Sequence, residues 1–371
     1  MKVLVNALSV RAPSGEHVLL GHLRQVAAWT VGQHTFLLLH DPSQAAWTGD
    51  LPSNVHPVSA HCDLGPWWRR SLWETVVLPG WLRKWRVDLI FTPSGTVLPR
   101  CAAPQVALAQ NPWCIVSRIH KSFAEKQKAA LQRHAYRQAM RKAAMMVYNS
   151  EHMRDLYRKN AAGTVERAGQ VVYQAIDDEA HRLAASGVLP ARQAGVVLAV
   201  SVMAAWKGIG VLVDALALLH GRGSRARLRL VGPWADRNYE QFIRRKIAGA
   251  GLGEFVTVTG RVSKADLYRH YAEASVFCLM SECESFGIPA VEAQVFGTPV
   301  VGATGSAVPE ICGPGGVYGP PRDPETTAAL LGRLLDDENH WRTLSCRARQ
   351  NAAKFRWESC SRPLLKMFSV V

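Results

Sequence analysis

Two glutamates, Glu284 and Glu292, enclose a short stretch that holds a glycine, Gly287, and a proline, Pro289. The apolar run 274–279 just before them predicts a buried strand. Proline is favoured in the first turn of a helix, and glycine suits a tight turn in front of it. We therefore expect a strand, a tight loop and the N-terminus of a helix, in this order.

The expected helix N-terminus is a candidate phosphate site. The N–H groups of Phe286, Gly287 and Ile288 would lie at its start, where the helix offers them no partner and its dipole is positive. Glu292, which we place on the first helical turn, and Glu284, just before the helix, would flank this point. Ionised carboxylates accept hydrogen bonds from hydroxyl groups. The combination therefore indicates a nucleotide sugar, with hydroxyls on a ribose and on a hexose.

The run 281–302, from Ser-Glu-x-Glu-Ser-Phe-Gly to Gly-x-Pro-Val-Val, resembles the E-x7-E donor-site motif of the retaining GT4 family of glycosyltransferases. The segment 305–310 is similar to the next block of that family. Two glutamates at this spacing are unspecific by themselves, and an ordinary βα unit with solvated glutamates is the alternative, whereas the full run is highly specific. The resemblance is strongest over 196–313. It implies an α/β protein of the GT-B fold, in which two Rossmann-like domains with parallel sheets face a central cleft.

The alternation of predicted strands and helices restarts in the middle of the chain. A length of 371 residues fits two domains, each large enough for its own core. By the resemblance, residues 1–174 form an N-terminal acceptor-binding domain, and residues 195–356 form a C-terminal domain that binds the nucleotide-sugar donor. We interpret 174–194 as the connection, and 357–371 as a terminal helix that packs back on the first domain.

A further candidate for the donor phosphates is Lys207, which together with Gly208 lies between a predicted strand and a predicted helix. A lysine there can neutralise a diphosphate, and a glycine lets the backbone come close; a solvated lysine at a helix start is the alternative. The resemblance implies this role for Lys207 together with an arginine five or six residues earlier, where Val202 and Ser201 stand. A cation from the basic first domain is one candidate to replace it. Arg261 would lie where the family holds the nucleotide base, or on the surface.

The first domain offers fewer candidates. Ser14 and Gly15 lie in a loop before a predicted helix, whose N-terminus can accommodate a phosphate or a sugar. They match in part the double glycine that many GT4 enzymes carry there. Asn111 stands where many members of that family have a histidine that orients the sugar, and its amide can bond to a hydroxyl but cannot titrate. We interpret His120 as a surface histidine.

The resemblance implies a reaction that retains the anomeric configuration, with attack on the face of the leaving group and no protein nucleophile. Glu284 would bind a hydroxyl of the transferred hexose, and Glu292 would bind the ribose diol. Lys207 and the helix N-terminus would stabilise the charge that develops on the departing nucleoside diphosphate. No Asp-x-Asp follows a predicted strand. We therefore expect no metal, and no cofactor besides the donor substrate.

The chain is basic, with a net charge of +15, and residues 61–170 hold 18 Lys and Arg against 7 Asp and Glu. In this region tryptophans alternate with cations, namely Trp67, Trp68, Arg69, Arg70, Trp73, Arg83 and Lys84. Such a mixture suits an anionic membrane surface. Ordinary core and surface helices are the alternative, and nucleic acid is the partner that we favour least.

The eight cysteines are scattered without a Cys-x-x-Cys pair, which is typical of a reduced, cytoplasmic protein. The N-terminus predicts a strand rather than a secretion signal, and no apolar run reaches membrane-spanning length. We therefore expect a cytoplasmic protein that binds peripherally to the inner face of the cell membrane.

These observations together predict a retaining, metal-independent hexosyltransferase. It would move a hexose from a nucleoside-diphosphate sugar to an oligosaccharide or lipid-linked acceptor in the synthesis of a bacterial surface polysaccharide, such as O-antigen, capsule or exopolysaccharide. A phosphorylase or nucleotide-sugar epimerase of the GT-B fold is one alternative. A basic, catalytically silent binding module is another, because the missing arginine is also compatible with a degenerate site.

Overall fold

The computed structural model describes residues 1–371, except for the side chain of Thr48. The chain divides into two compact units. The first consists of Met1–Ala175 together with Trp357–Val371, and the second is Ile176–Arg356. Each unit contains one parallel β-sheet with helices between its strands, the pattern of a Rossmann-like domain.

The first unit is built on a seven-stranded sheet with the strand order β3-β2-β1-β4-β5-β6-β7. Its strands are β1 Lys2–Asn6, β2 Thr35–His40, β3 Val55–Ser59, β4 Leu89–Thr92, β5 Gln105–Ala109, β6 Met145–Tyr148 and β7 Gly169–Val171. Every residue of β4, β5 and β6 is buried, as expected for inner strands of a parallel sheet that is covered on both faces. The pattern of the sequence did not predict β3, an edge strand that contains a proline.

Five helices lie between these strands: α1 Pro13–Trp29, α2 Trp67–Val76, α3 Leu78–Trp85, α4 Phe123–Lys142 and α5 Glu151–Asn160. The start of α4 is encoded in its local sequence. Ser122 and Glu125 form a capping box, in which each side chain accepts a hydrogen bond from the backbone N–H of the other residue.

The second unit is built on a six-stranded sheet with the strand order β10-β9-β8-β11-β12-β13. Its strands are β8 Val196–Val200, β9 Arg227–Val231, β10 Val256–Gly260, β11 Val276–Leu279, β12 Val300–Ala303 and β13 Gly316–Gly319. Its helices are α6 Asp178–Ala185, α7 Ile209–Gly221, α8 Arg237–Gly249, α9 Lys264–Glu273, α10 Ile288–Val295, α11 Val308–Cys312, α12 Pro324–Asp336 and α13 Glu338–Ala352.

Two segments differ from the sequence prediction. The interpreted connection 174–194 contains α6, and from Ile176 onward it belongs to the second unit. The C-terminal stretch is a short helix, α14 Trp357–Ser361, followed by a 3-10 helix over Arg362–Val370, rather than one continuous α-helix. A proline, Pro363, lies at the start of the 3-10 segment, and proline disfavours α-helical geometry in the residue before it.

The strand order determines where a ligand can bind. In the second sheet the order reverses between β8 and β11, which are neighbours in the sheet. Loops that follow two such strands diverge to opposite sides and leave a crevice at the carboxyl ends of the strands. The loops after β8 and β11 contain Lys207 and Glu284. The topology of the second unit therefore brings the two predicted donor-site segments to the same crevice.

Helices α2 and α3 carry the tryptophan- and arginine-rich segment of the first unit. Helix α2 has no buried residue, whereas α3 buries Leu78 and Leu82 in the core. Among the residues that the structure describes, no helix has both the length and the apolar character needed to cross a bilayer.

Candidate active site

The loop after β11 leads into α10 through a position whose backbone conformation only glycine adopts easily. Gly287 is the N-cap of α10 and has a φ of +92°. In this left-handed region a side chain is strained. Pro289 occupies the second helical position, and no side chain caps this end of the helix among the described residues. The N–H groups of Gly287 and Ile288 therefore lie at an uncapped helix N-terminus, a suitable site for an anion.

Lys207 and Glu284 form an ion pair in the crevice between β8 and β11. Lys207 ends a 3-10 turn, Ala205–Lys207, and both side chains are mostly shielded, with 19% and 13% of their surface exposed. The backbone N–H of Glu282 donates to the carbonyl of Trp206 at 2.8 Å, which joins the two loops. Glu284, predicted to bind the hexose, and Lys207, predicted to bind the phosphates, are thus direct partners.

Gly208 follows Lys207 with a φ of +76°. A Cβ atom at this position would collide with the carbonyl group of Met280, at the end of β11. The glycine therefore permits the close approach of the two loops that places Lys207 beside Glu284.

Glu292 lies on the second turn of α10 rather than on the first, because the helix begins at Ile288. The hydroxyl of Tyr271 donates a hydrogen bond of 2.7 Å to Oε2 of Glu292. Burial raises the pKa of Glu292 to about 7; the Tyr271 hydrogen bond lowers it and the nearby Asp177 carboxylate raises it. Burial also keeps the pKa of Tyr271 well above its usual value, so its hydroxyl is the donor.

This second unit matches a known family over most of its length. Residues 188–354 match the model of the family described as glycosyl transferases group 1. The second unit is a group 1 glycosyltransferase domain. Its match includes Lys207, Glu284 and Glu292, and thus the whole crevice described above.

Two curated relatives share part of this domain. The chain is 38% identical over 117 residues to an MMP alpha-(1->4)-mannosyltransferase of Mycolicibacterium hassiacum, which covers 30% of this chain and 28% of the relative. It is 29% identical over 179 residues to the O-antigen chain mannosyltransferase B of Escherichia coli, which covers 48% of this chain and 46% of the relative. The matched region thus spans less than half the length of either relative.

Two solved structures resemble the chain over its full length. One is a sucrose-phosphate synthase from Thermosynechococcus elongatus, with a TM-score of 0.77 and 17% identity, covering all of this chain and 98% of the other. The other is Anabaena HepE in complex with UDP and glucose, with a TM-score of 0.73 and 19% identity, covering all of both chains. At such identities the likeness concerns the fold, and it confirms the predicted GT-B fold.

The glycosyltransferase domain has an apolar residue where the resemblance implies an arginine. Val202, at the carboxyl end of β8, is 52% exposed, and the Ser201 hydroxyl contacts Sδ of Met203 at 3.6 Å. Arg261 follows β10, which is an edge strand of the second sheet and is separated from β11 by β9 and β8. Its side chain is exposed. Within the described residues the structure gives Arg261 no hydrogen bond or ion pair, so it remains available at the edge of the sheet.

The side chain of Phe286 belongs to the core. Its side chain is buried, and its ring packs edge-on against Phe355 with the centroids 5.5 Å apart. This ring anchors the loop to the core of the glycosyltransferase domain, and only main-chain atoms remain for a ligand.

Two predictions about the first unit need correction. Ser14 and Gly15 lie in the first turn of α1, not in a loop, because the helix begins at Pro13. The N–H of Gly15 already donates to the carbonyl of Ala12 at 2.9 Å. His120 is buried rather than on the surface; its Nε2 lies 2.9 Å from the Trp113 carbonyl and its ring packs on Trp113.

Asn111 lies after β5, at the carboxyl end of the first sheet. Its Oδ1 accepts a hydrogen bond of 3.0 Å from the backbone N–H of Trp113, and its carbonyl accepts one of 3.1 Å from the hydroxyl of Tyr136. The carboxamide thus shapes its own loop, while its NH₂ group points to no partner in the described part of the chain.

Two residues that contact the predicted donor-site segment were not predicted from the sequence. Tyr271 is a buried residue on α9 that the helical pattern does not distinguish from core. Arg322, after β13, contacts Glu282 two residues before Glu284. Neither has a local signal, since each is defined by a partner that is distant in sequence.

Proposed function

We propose that this protein is a retaining, GT4-type glycosyltransferase that moves a hexose from a nucleoside-diphosphate sugar to an acceptor. The observation that carries the proposal is the Lys207–Glu284 pair beside the uncapped N-terminus of α10, inside a group 1 glycosyltransferase domain. Both relatives described above are named mannosyltransferases, and one structural neighbour holds UDP and glucose, which supports a hexose and a nucleotide.

The diphosphate, the hexose and the ribose of the donor would each bind a different part of the site. Its diphosphate would lie at the N–H groups of Gly287 and Ile288, with Lys207 as the counter-charge. A hydroxyl of the hexose would bind Glu284, and the ribose diol would bind Glu292. Since Lys207 and Glu284 pair with each other, donor binding would replace this ion pair by two interactions, one with phosphate and one with sugar.

The transfer step would depend on charge stabilisation. As the bond between the sugar and the diphosphate breaks, negative charge grows on the leaving oxygen, and Lys207 with the start of α10 would stabilise it. The acceptor hydroxyl would attack on the same face, so that the anomeric configuration is retained. We expect no cofactor and no divalent metal, because the cationic and dipolar groups named here would do the work of a metal.

The acceptor would be a lipid-linked intermediate of a bacterial surface polysaccharide, and one relative is named for O-antigen synthesis. A membrane surface fits α2, on which Trp68, Leu72 and Val76 follow each other at four-residue spacing and are 53–67% exposed. Trp67, beside them, is 61% exposed, and Arg69 lies 5.3 Å from the ring of Trp68. Cations and aromatic rings on one exposed helix suit anionic headgroups.

Two residues that the sequence suggested for the proposed membrane surface, Trp73 and Arg70, contact neighbouring side chains instead. Trp73, which the sequence placed in it, packs edge-on against Trp81 with the centroids 5.1 Å apart. Arg70 is partly shielded and lies 4.0 Å from Glu74. The proposed surface therefore consists of Trp67, Trp68, Leu72, Val76 and Arg69, with Arg83 and Lys84 as exposed cations on α3.

A screen of UDP-, GDP-, dTDP- and ADP-sugars by thermal shift tests the donor, since a ligand at 100 times its Kd adds about 2.7 kcal/mol of stability. The stabilising donor is then incubated with lipid-linked acceptors, and release of nucleoside diphosphate is measured. Release that requires acceptor and yields an α-linked or β-linked product of unchanged anomeric configuration supports the proposal.

Other outcomes favour the alternatives. Free sugar phosphate in the presence of phosphate, or an epimerised nucleotide sugar without acceptor, indicates a phosphorylase or an epimerase. A protein that no donor stabilises and that turns over none of them is a silent binding module, and the proposal is then wrong.

A further inference from the structure

Arg322 lies in a loop whose backbone is constrained on both sides. Pro320 and Pro321 precede it, and Asp323 follows it as the N-cap of α12. The side chain of Asp323 accepts hydrogen bonds from the backbone N–H of Thr326 at 3.0 Å and from its hydroxyl at 2.5 Å. Prolines fix φ and a cap fixes the start of a helix, so little freedom remains for the backbone of Arg322.

The head of the Arg322 side chain is held as well. Its Nε and Nη2 lie 3.0 Å and 2.8 Å from Oε2 of Glu282. The two partners differ in exposure: the Glu282 side chain is 10% exposed, and that of Arg322 is 65% exposed. A guanidinium carries five N–H donors, so Nη1 is left for another acceptor on the solvent side.

Glu282 belongs to the loop that carries Glu284. Its own N–H donates to the carbonyl of Trp206, the residue before Lys207. This loop therefore holds two cations through two glutamates: Lys207 through Glu284, and Arg322 through Glu282. An arginine that is fixed in advance loses little conformational entropy when it binds an anion.

We propose that Arg322 is a second anion-binding residue of this site, positioned by Glu282, and that it binds a phosphate group of a substrate. The planar guanidinium matches the geometry of a phosphate, and the pair with Glu282 need not break because Nη1 is not engaged by it. The phosphate belongs either to the donor diphosphate or to a phosphorylated acceptor. This inference rests on the proposed function.

The competing explanation is purely structural. Glu282 is a nearly buried carboxylate, and such a group requires a partner, so Arg322 would serve only to neutralise it. The double variant Glu282→Gln/Arg322→Gln separates the two explanations, because it removes both charges at once. Under the structural explanation, the double variant regains both the stability and the function that Arg322→Gln alone would lose. Under our proposal, it regains the stability that Arg322→Gln alone would lose, but not the anion binding.

A matched control exists on α8. Arg244 contacts Oε1 of Glu240 through Nε and Nη2 at 2.9 Å and 2.7 Å, the same geometry as the Arg322–Glu282 pair. The control pair lies on the surface of the helix, with side chains 56% and 26% exposed. Glu240→Gln/Arg244→Gln therefore makes the same chemical change away from the site.

The experiment is calorimetry on the full chain with UDP, with GDP, and with inorganic pyrophosphate added to protein saturated with the better nucleotide. If the phosphate is that of the donor, Glu282→Gln/Arg322→Gln lowers nucleotide affinity by about tenfold or more, as expected for a lost charge-assisted hydrogen bond. If it is that of an acceptor, nucleotide affinity is unchanged, and pyrophosphate binding to the saturated protein falls by a similar factor. The control variant changes neither.

Unchanged binding of nucleotide and pyrophosphate in a folded Glu282→Gln/Arg322→Gln variant overturns the proposal. A wild-type protein that binds no nucleotide contradicts the proposed function instead. Pyrophosphate is then added to the free protein, and Arg322 is still tested: no difference between wild type and double variant, including binding to neither, also overturns its role.

Discussion

The hydroxyl of Tyr271 donates a hydrogen bond of 2.7 Å to the carboxylate of Glu292, and together with burial it controls the charge of that carboxylate. Burial raises the pKa of Glu292 to about 7, so the charge of this carboxylate changes near neutral pH. A diol that donates two hydrogen bonds prefers the ionised form. Donor binding and ionisation of Glu292 are therefore linked.

The affinity for UDP or GDP should consequently depend on pH. Below pH 7 the nucleotide must displace a proton from Glu292, and the affinity should fall by up to roughly tenfold per pH unit; above it the affinity should level off. Calorimetry between pH 5 and pH 9 measures this. Because a phosphate itself titrates near pH 6, Glu292→Gln is the control, and an identical pH profile in this variant contradicts the linkage.

Glu292 should destabilise the folded protein at high pH, where its buried carboxylate is ionised. The folded-state pKa of Glu292 lies above the ordinary value, so its favourable contribution is complete below pH 4.5 and is lost as pH rises through about 7. Without added nucleotide, Glu292→Gln should therefore stabilise the protein at pH 8, on the order of 1–3 kcal/mol, and have little effect at pH 4.5. Chemical denaturation at both values measures the difference, and a variant that is less stable at pH 8 refutes this.

Glu292 and Glu284 should have different functions. Glu292→Ala should weaken nucleoside diphosphate binding by about 1.5–3 kcal/mol, because two ribose hydroxyls lose a charged acceptor. Glu284→Ala should reduce turnover instead. Since it frees Lys207 from its ion pair, nucleotide affinity should hold or increase. Calorimetry with the bare nucleotide compares them, and an equal loss of affinity in both variants would show that the roles are wrongly assigned.

Lys207→Ala should slow transfer by about 10²–10³-fold, because the lysine acts on charge that grows in the transition state. Circular dichroism should show an intact fold. EDTA should leave the rate of the wild type nearly unchanged. A strict requirement for a divalent metal would contradict the proposed division of labour between Lys207 and the start of α10.

The proposed membrane surface on α2 is tested with vesicles that contain anionic lipid. Trp67→Ser/Trp68→Ser should reduce sedimentation with vesicles and leave stability nearly unchanged, because both rings are mostly exposed. Binding of the wild type should weaken with salt, since each cation near such a surface contributes about 1 kcal/mol that is screened. Trp73→Ser is the contrasting variant and should destabilise the unit through its lost contact with Trp81.

If the Trp67→Ser/Trp68→Ser variant sediments like the wild type, α2 is a solvated helix and does not contact the membrane. If it unfolds, the two rings contribute to the core, and the assignment of the surface is wrong in another way.

The sequence alone determined the elements around the site because their signals are local. Gly287 and Pro289 mark the start of α10, and Gly208 marks a close approach, since a positive φ and a missing N–H are properties of single residues. The alternating pattern predicted two parallel α/β halves for a similar reason, because the burial of a strand or helix face repeats along the chain. The GT-B resemblance rests on these same local features.

Only the tertiary structure decided which side chains meet. Lys207 and Glu284 are 77 residues apart, and they pair because β8 and β11 are neighbours at the point where the strand order reverses. Tyr271 and Arg322 became visible through their partners on other elements. Trp67 and Trp73 have the same residue type on the same helix, yet one is exposed and the other packs on Trp81. Contact and burial depend on what packs against a residue, and strand order, which sets that packing, is not encoded in any local stretch of the chain.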